Sequence, residues 1–324
     1  MKRFRLTHAI IPVLLLCLCV IVVPWVLPSA GAQSNGAIWG LVGNIVPPSA
    51  TLNSVYMPDA NTAWLAGSDY SSGSGGGRVY KIIWRNGQWV LNSTYSFRAL
   101  LYSIVAISDN NVWAVGDNRL IVHKDAIGWK EIPQDPGLSE YSRYSTIQMF
   151  GNGQEGWAAG NTSSQQGSQG FFTHLKDGQV IGTSVVGGGD IKPGVTALHF
   201  AGDTGWAVGG NSIAHIDDSG PGVPVWFIEA NLPSCQADHT CGYNLLAVRA
   251  INSEEAWVAG FNIPLSSSPS PTEAVLFHRV NKQWQQVNPG LYGRSNVLMG
   301  ISFSDTGSGL TVGSTVPNFG DPSY

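Results

Sequence analysis

The chain has 324 residues and a formal net charge of −4, and only 12% of its residues are charged. It also contains 40 Gly, 18 Pro and 12 Trp. No cluster of Lys and Arg occurs beyond the first few residues, so the charge pattern excludes an electrostatic surface for nucleic acid. After residue 32 no long stretch places apolar residues at helical spacing, and we expect an all-β protein.

The first element, residues 1–32, is predicted to be an export signal. A basic start at residues 2–5 precedes the apolar run 9–26, and Ala30-Gly31-Ala32 offers small residues for a signal peptidase. The apolar run is also long enough for an uncleaved anchor, with membrane attachment through residues 9–28. Both alternatives place the remaining residues, 33–324, outside the cytoplasm.

The rest of the chain repeats a short signature in which Trp, or once Leu, is followed three positions later by Gly. The pairs are Trp64 and Gly67, Trp113 and Gly116, Trp157 and Gly160, Trp206 and Gly209, Trp257 and Gly260, and Leu310 and Gly313. Their steps of 49, 44, 49, 51 and 53 residues match the length of one propeller blade. We therefore expect a β-propeller of four-stranded blades, with six units visible in a six- or seven-bladed ring.

Each signature follows an apolar run and a polar turn, as in residues 103–107 and then 109–111. Apolar runs on both sides of Asp, Asn or Gly predict a pair of antiparallel strands, and the signature glycine is predicted to end the second one. Such a pair cannot bury its own apolar face, so the tryptophans are expected to pack between blades. The alternative is that they form a stacking platform for a ligand.

The two ends of the repeat region predict how the ring closes. Trp39 precedes Trp64 by 25 residues, much as Trp89 precedes Trp113 by 24. This spacing predicts that Trp39 belongs to an outer strand that completes the last blade and removes exposed strand edges. The sixth unit continues for only eleven residues after Gly313, so the propeller domain, 33–324, is expected to end in an incomplete blade.

Two cysteines, Cys235 and Cys241, lie in a polar loop between the fourth and fifth signatures. In an exported chain, two nearby cysteines predict a disulfide. The alternative is a metal site that adds His239 to both thiolates, but this loop lacks a fourth ligand and the usual ligand spacing. The disulfide is favoured, and no metal is predicted.

Four histidines recur at the end of the third apolar run of their units: His123, His174, His215 and His278. Because each belongs to a different blade, they lie too far apart to share one metal ion. We instead expect each imidazole to make a hydrogen bond to the neighbouring turn.

The chain shows no catalytic set and no cofactor motif. It has no phosphate-binding loop before a helix, no HExxH and no GxSxG elbow. Glycoside hydrolysis needs two carboxylates that face one another, whereas Asp109, Asp203, Glu254 and Asp305 are interpreted as turn formers. The sequence therefore predicts neither enzymatic activity nor a cofactor.

The signature, in the form Trp-Ala-Val-Gly after an apolar strand and an Asp or Asn turn, resembles the repeats of the photosystem II assembly and stability factor family, which belongs with the BNR-like propellers. The resemblance extends from about Trp39 to Gly313. It implies a seven-bladed propeller that is exported and binds a membrane-protein precursor during assembly, with no known catalytic activity.

Two functions from different classes remain as hypotheses. The first is a non-catalytic extracytoplasmic scaffold that binds an unidentified protein through rim loops 68–78, 161–170, 233–243 and 263–272, in the assembly or stability of a membrane or envelope complex. The second is a carbohydrate-binding or sialidase-like glycan-processing propeller, which the abundance of tryptophan would suit.

Overall fold

The structure is a computed structural model that describes residues 45–70, 76–164, 167–185, 191, 194–217, 225–232, 241–264, 272–291, 295–304 and 308–316. Within these ranges the regular secondary structure consists of 22 β-strands. No helix among the described residues is long and apolar enough to cross a membrane. The predicted export segment 1–32, Trp39 and Cys235 lie outside these ranges, as does the segment 317–324.

The strands form six antiparallel sheets, and within each sheet the strands pair in sequence order. We call these sheets blades 1 to 6. Blade 1 contains β1 (Ala50–Asp59), β2 (Thr62–Asp69), β3 (Gly76–Arg85) and β4 (Gln88–Phe97); blade 2 contains β5 (Leu101–Ser108), β6 (Asn111–Gly116), β7 (Ile121–Lys124) and β8 (Trp129–Glu131). Blade 3 contains β9 (Arg143–Phe150), β10 (Glu155–Ser164), β11 (Gly167–Lys176) and β12 (Gln179–Val185). Blade 4 contains β13 (Ala197–Ala201), β14 (Thr204–Gly209), β15 (Ser212–Asp217) and β16 (Phe227–Asn231). Blade 5 contains β17 (Cys241–Ala250), β18 (Ala256–Pro264), β19 (Ala274–Val280) and β20 (Gln283–Val287), and the described part of blade 6 contains β21 (Ser295–Phe303) and β22 (Gly309–Val316).

The apolar core lies between the blades. Each of five clusters of buried side chains joins two consecutive blades. Between blades 2 and 3, for example, Trp113 and Val115 share a cluster with Ile147 and Met149. The signature tryptophans of blades 1 to 4 are at most 3% exposed: Trp64, Trp113, Trp157 and Trp206. These side chains therefore pack between blades, where each large aromatic contributes roughly 2 to 3 kcal/mol.

The signature glycines occupy places where no side chain fits. A Cβ at any of the six would lie 1.8 to 2.2 Å from a backbone carbonyl oxygen near the start of the same blade, as Gly116 would from Leu100. The first strand has a register shift close to this point in several blades, such as that between Leu101 and Ser103. Such a bulge bends the strand and brings its backbone towards the second strand.

The prediction that the glycine ends the second strand is wrong for four of the six signatures. Gly67, Gly160, Gly260 and Gly313 lie inside β2, β10, β18 and β22. The strand continues because the absence of a Cβ removes the collision, so pairing with the first strand is kept. The segment 161–170, predicted to be a rim loop, likewise consists largely of strand, because β10 and β11 stay paired up to Ser164 and Gly167.

We expect Gly116→Ala to lower the free energy of unfolding by roughly 2 to 3 kcal/mol, because the new methyl group must displace a backbone carbonyl. Chemical denaturation monitored by tryptophan fluorescence measures this change. Gly182→Ala is the matched control, because Gly182 also lies in a strand but has no atom within 4 Å of its Cβ position. Equal stability of the two variants would contradict the steric account.

Candidate functional site

A pocket of about 680 Å³ lies between blades 4 and 5. Its walls come from strand residues of both blades and from the turns at 202–203, 251–255 and 281–282. Blade 4 contributes Ala201, Asp203, Thr204, His215, Phe227 and Glu229, and blade 5 contributes Ser253, Glu254, Arg279 and Lys282. The sequence analysis interpreted Asp203 and Glu254 as turn formers, and both also line this pocket.

A buried ion pair fixes the wall between the two blades. The guanidinium of Arg279, whose side chain is 5% exposed, donates from Nε to Glu229 Oε1. Its Nη1 donates to the carbonyl oxygen of Glu254 at 2.7 Å. Its Cζ lies 5.2 Å from the ring centre of Trp206, within the range of a cation–π contact. Arg279 therefore ties blade 5 to the core tryptophan of blade 4.

Both oxygens of Glu229 are engaged in this wall. Trp206 Nε1 donates to Oε2 at 2.8 Å, while Arg279 holds Oε1. Glu254 lies beside the same guanidinium, with Oε2 at 3.9 Å from Nη1. A pair of catalytic carboxylates would instead face one another across a substrate, with one of them able to release a proton. The geometry suits Glu229 as a fixed part of the wall.

The mouth of the pocket presents an aromatic ring and both signs of charge. Phe227 is 48% exposed and meets His215 edge to face at 5.2 Å. Asp203 and Lys282 are exposed, and neither makes an ion pair within the described part of the chain. A ligand at this mouth would therefore meet an apolar surface beside a carboxylate and an ammonium group.

The pocket adjoins a row of side chains at one level of blade 4. Four side chains lie opposite one another on adjacent strands: His199 on β13, Trp206 on β14, His215 on β15 and Phe227 on β16. The sequence singled out two members of this row, Trp206 and His215. Gly209 ends β14 but does not line the pocket, and the signature residues of the other blades are not brought to it. Cys241 begins β17.

Three of the recurring histidines make a hydrogen bond to the residue that follows, or for His278 ends, the turn between the first and second strands. His123 Nε2 contacts Asn111 Oδ1 at 3.1 Å, and the corresponding bonds of His174 and His278 go to Glu155 and Glu255. A hydrogen bond of the imidazole was predicted, but its partner was expected in the turn, whereas Asn111 and Glu155 are the first residues of β6 and β10. No cluster of potential metal ligands occurs among the described residues.

The sequence did not predict that the four histidines also stack on the signature tryptophans. Each histidine lies directly across from the signature tryptophan of its own blade, with ring centres 3.9 to 4.7 Å apart and planes within 17° of parallel. The pairs are His123 with Trp113, His174 with Trp157, His215 with Trp206, and His278 with Trp257. In blade 1 Lys81 takes this place, with its Nζ 5.5 Å from the ring centre of Trp64.

Two histidines are held in the neutral form. Burial lowers the pKa of His199 to about 4, and the charge of Arg249 adds to the effect. The surroundings of the ring agree, because Ala250 N donates to Nδ1 and the Arg249 guanidinium lies at Nε2. An imidazolium there would face donors on both sides. Burial, followed by the charge of Lys130, also lowers the pKa of His123 to about 4.

Comparison with known proteins supports the fold. No protein-family model and no curated protein matches the chain. Among solved structures, the periplasmic gluconolactonase PpgL of Pseudomonas aeruginosa is similar, with a TM-score of 0.50 and 12% identity over 82% of this chain and 86% of that one. The β-propeller fold predicted from the repeat is confirmed.

The solved structures similar to this chain also include two of YCF48, a photosystem II assembly factor. YCF48 from Cyanidioschyzon merolae has a TM-score of 0.45 and 13% identity over 83% of this chain and 95% of that one. A structure of YCF48 bound to D1 peptide has a TM-score of 0.43 and 16% identity over 83% of this chain and 92% of that one. At these identities the likeness is one of fold.

We expect the free energy of unfolding to fall as the pH drops from 6.5 towards 4. The unfolded histidines have pKa values near 6.5, whereas those of His123 and His199 are about 4 in the folded chain, so the unfolded state binds more protons between these values. Urea denaturation across this pH range measures the slope. The double variant His123→Gln with His199→Gln should show a shallower slope, and an unchanged slope would contradict the assignment.

Removal of one partner of the buried ion pair should destabilise the chain more than removal of both. Arg279→Met leaves Glu229, 14% exposed, without its cation, and we expect a loss of about 3 kcal/mol in the free energy of unfolding. Adding Glu229→Gln should recover most of this loss. As a control, Arg98→Met breaks an ion pair with Glu131 in which both side chains are about half exposed, and should cost less than about 1 kcal/mol. Equal stability of the single and double variants would count against the coupling.

Proposed function

We propose that the chain is a non-catalytic propeller that acts outside the cytoplasm as a scaffold for a protein partner, in the assembly or stability of a membrane or envelope complex. The observation that carries the proposal is the pocket between blades 4 and 5, with walls fixed by the Arg279 ion pair and a mouth formed by Phe227, Asp203 and Lys282. The sequence resemblance to assembly factors accords with it.

The shape and chemistry of the pocket suit the side chains of a polypeptide. Its volume falls within the range of about 300 to 1,000 Å³ that is usual for ligand sites. An aromatic ring flanked by both signs of charge matches the mixed surface of a protein, and aromatic side chains are enriched at such interfaces. Because most of the lining residues lie on strands of two packed blades, they are held in place before a partner arrives.

The arrangement of the carboxylates favours binding over catalysis. Glu229 and Glu254 both lie at the guanidinium of Arg279, which holds Glu229 Oε1 through Nε and lies 3.9 Å from Glu254 Oε2 through Nη1. The glycan alternative has less support at the signature positions, because Trp64, Trp113, Trp157 and Trp206 are buried and offer no face to a sugar ring, whereas Trp84 on β3 is 45% exposed. A sialidase-like site would need three arginines, and Arg279 alone lines this pocket among the described residues.

The extracytoplasmic location rests on residues 1–32, whose basic start, apolar run and small residues are typical of an export signal. The disulfide between Cys235 and Cys241 is part of the same proposal, since an oxidising compartment would allow it to form. Fusion of residues 1–32 to alkaline phosphatase, which is active only after export, tests the location separately from the binding function.

Photo-crosslinking tests whether the pocket binds a protein. With a photoreactive amino acid at Phe227 and membrane extract of the source cell, we expect one discrete crosslinked polypeptide, whose yield falls when Asp203→Lys and Lys282→Glu reverse the charges at the mouth. The matched control is the same amino acid at Ile181, which is 57% exposed on β12 and lies away from the pocket. Equal crosslinking at both positions, or none at Phe227, would contradict the proposal.

A substrate panel tests the absence of catalysis. Fluorogenic glycosides and gluconolactone should be hydrolysed no faster than in buffer. Turnover that Glu229→Gln abolishes would instead show that the pocket is an active site.

A further inference from the structure

The first strands of consecutive blades contact one another and form the inner side of the propeller. In each blade, one residue of the first strand lies opposite the signature residue of the second strand. From blade 1 to blade 6 these residues are Tyr56, Val105, Gln148, His199, Arg249 and Ser302. We call them the inner row. Among these six described residues, Arg249 alone carries a permanent charge.

In blades 3 and 4 the inner row holds the next blade. Gln148 Oε1 accepts a hydrogen bond from Phe200 N at 3.0 Å, and His199 Nδ1 accepts one from Ala250 N at 3.2 Å. Each acceptor thus bonds the backbone of the residue that follows the next member of the row. The guanidinium of Arg249 has five donors and no acceptor, so it cannot make this contact with blade 6. The structural role seen in blades 3 and 4 therefore does not explain an arginine in blade 5.

The guanidinium of Arg249 lacks an anionic partner. The residue is partly buried, and no carboxylate lies within 4.0 Å of its nitrogens in the described part of the chain. Its Nη1 contacts Nε2 of His199. A neutral imidazole has a single acceptor nitrogen, and Ala250 N approaches the other nitrogen of the same ring. One imidazole cannot accept from both donors, and it provides no negative charge.

The remaining donors of Arg249 lie along one edge of the guanidinium. Nε is buried and has no hydrogen-bond partner, and Nη2 makes no hydrogen bond to any described residue. The N–H groups of Nε and Nη2 point in the same direction, and such a pair binds both oxygens of a carboxylate. Because Nε is covered by neighbouring atoms, the side chain must shift for both groups to reach a ligand. A buried donor without an acceptor is costly, so an anion that reaches this edge satisfies the donors and supplies the missing charge.

We propose that Arg249 binds a carboxylate on the inner side of the propeller, through its Nε and Nη2 donors. Two parallel donors on one cation match the two oxygens and the single charge of a carboxylate, whereas a phosphate group has a further oxygen and nearly a second charge to satisfy. Neither Arg249 nor His199 lines the pocket between blades 4 and 5. The carboxylate site is therefore separate from that pocket and does not depend on the function proposed for it.

Titration of the purified full chain with acetate, followed by NMR, tests the site. The Nε–H resonance of Arg249 and the backbone amide of Ala250 should shift saturably. Arg249→Gln should weaken acetate binding about tenfold or more, as judged from the Ala250 amide. Its melting temperature should stay close to that of the parent chain, because glutamine occupies the same place in blade 3. Arg249→Lys keeps the charge without the paired donors and should also weaken binding.

Arg85→Gln is the matched control, because Arg85 is exposed and makes no ion pair in the described part of the chain, and it should leave acetate binding unchanged. N-acetylalanylalanine and its C-terminal amide distinguish the source of the ligand. Tighter binding of this free acid than of acetate would support the C-terminus of a polypeptide, and equal or weaker binding would support a small organic acid. Absence of a saturable shift with both acids, equal affinity of the Arg249→Gln chain, or equal binding of the amide would each overturn the proposal.

Discussion

The close approach of a backbone carbonyl to the second strand of each blade is the constraint on which the rest of the structure depends. At all six signatures this oxygen occupies the space that a Cβ would need, so glycine is required there. The fixed spacing of three residues then places the preceding aromatic or aliphatic side chain on the face that meets the next blade. One steric requirement in the first strand thus sets the position of the residue that holds two blades together.

The candidate pocket lies at one of these contacts between consecutive blades, the one between blades 4 and 5. Trp206 is buried between blades 4 and 5, and its indole N–H and ring face are used by Glu229 and Arg279. A charged pair can be kept at this depth because each partner has further hydrogen bonds, which offset the loss of hydration. The same contacts hold the turns around the mouth in place, so that the binding surface is formed by the core itself.

The repeat made much of the fold predictable, because a signature that recurs at the length of a blade is a long-range pattern that survives variation in the loops. The sequence also predicted the hydrogen bonds of His123, His174 and His278, since their place before a turn is visible in each unit. It did not predict their stacking on tryptophan, because the separation between Trp and His differs from blade to blade. It also misjudged the role of the glycine, since the bulge that requires it leaves no mark in the residue types.

The pocket could not be found from the sequence for a similar reason. Glu229 and Arg279 are separated by 50 residues and belong to different strands of different blades. Each looks like an ordinary surface residue beside a turn. Their pairing depends on the rotation between adjacent blades, which residue spacing does not specify. A comparison of charges at equivalent positions of neighbouring units is the signal that could have suggested it.

Amide hydrogen exchange, resolved to single residues, tests most directly whether the junctions between blades stabilise the structure more than the pairing within each sheet. Two sets of amides should be compared: those of β14 that bond to β13, and those of β22 that bond to β21. All of β14 is buried between neighbours, whereas Leu310 and Val312 of β22 are exposed. The account predicts exchange at least about a hundredfold faster in β22 than in β14. Equal protection of the two strands would contradict it.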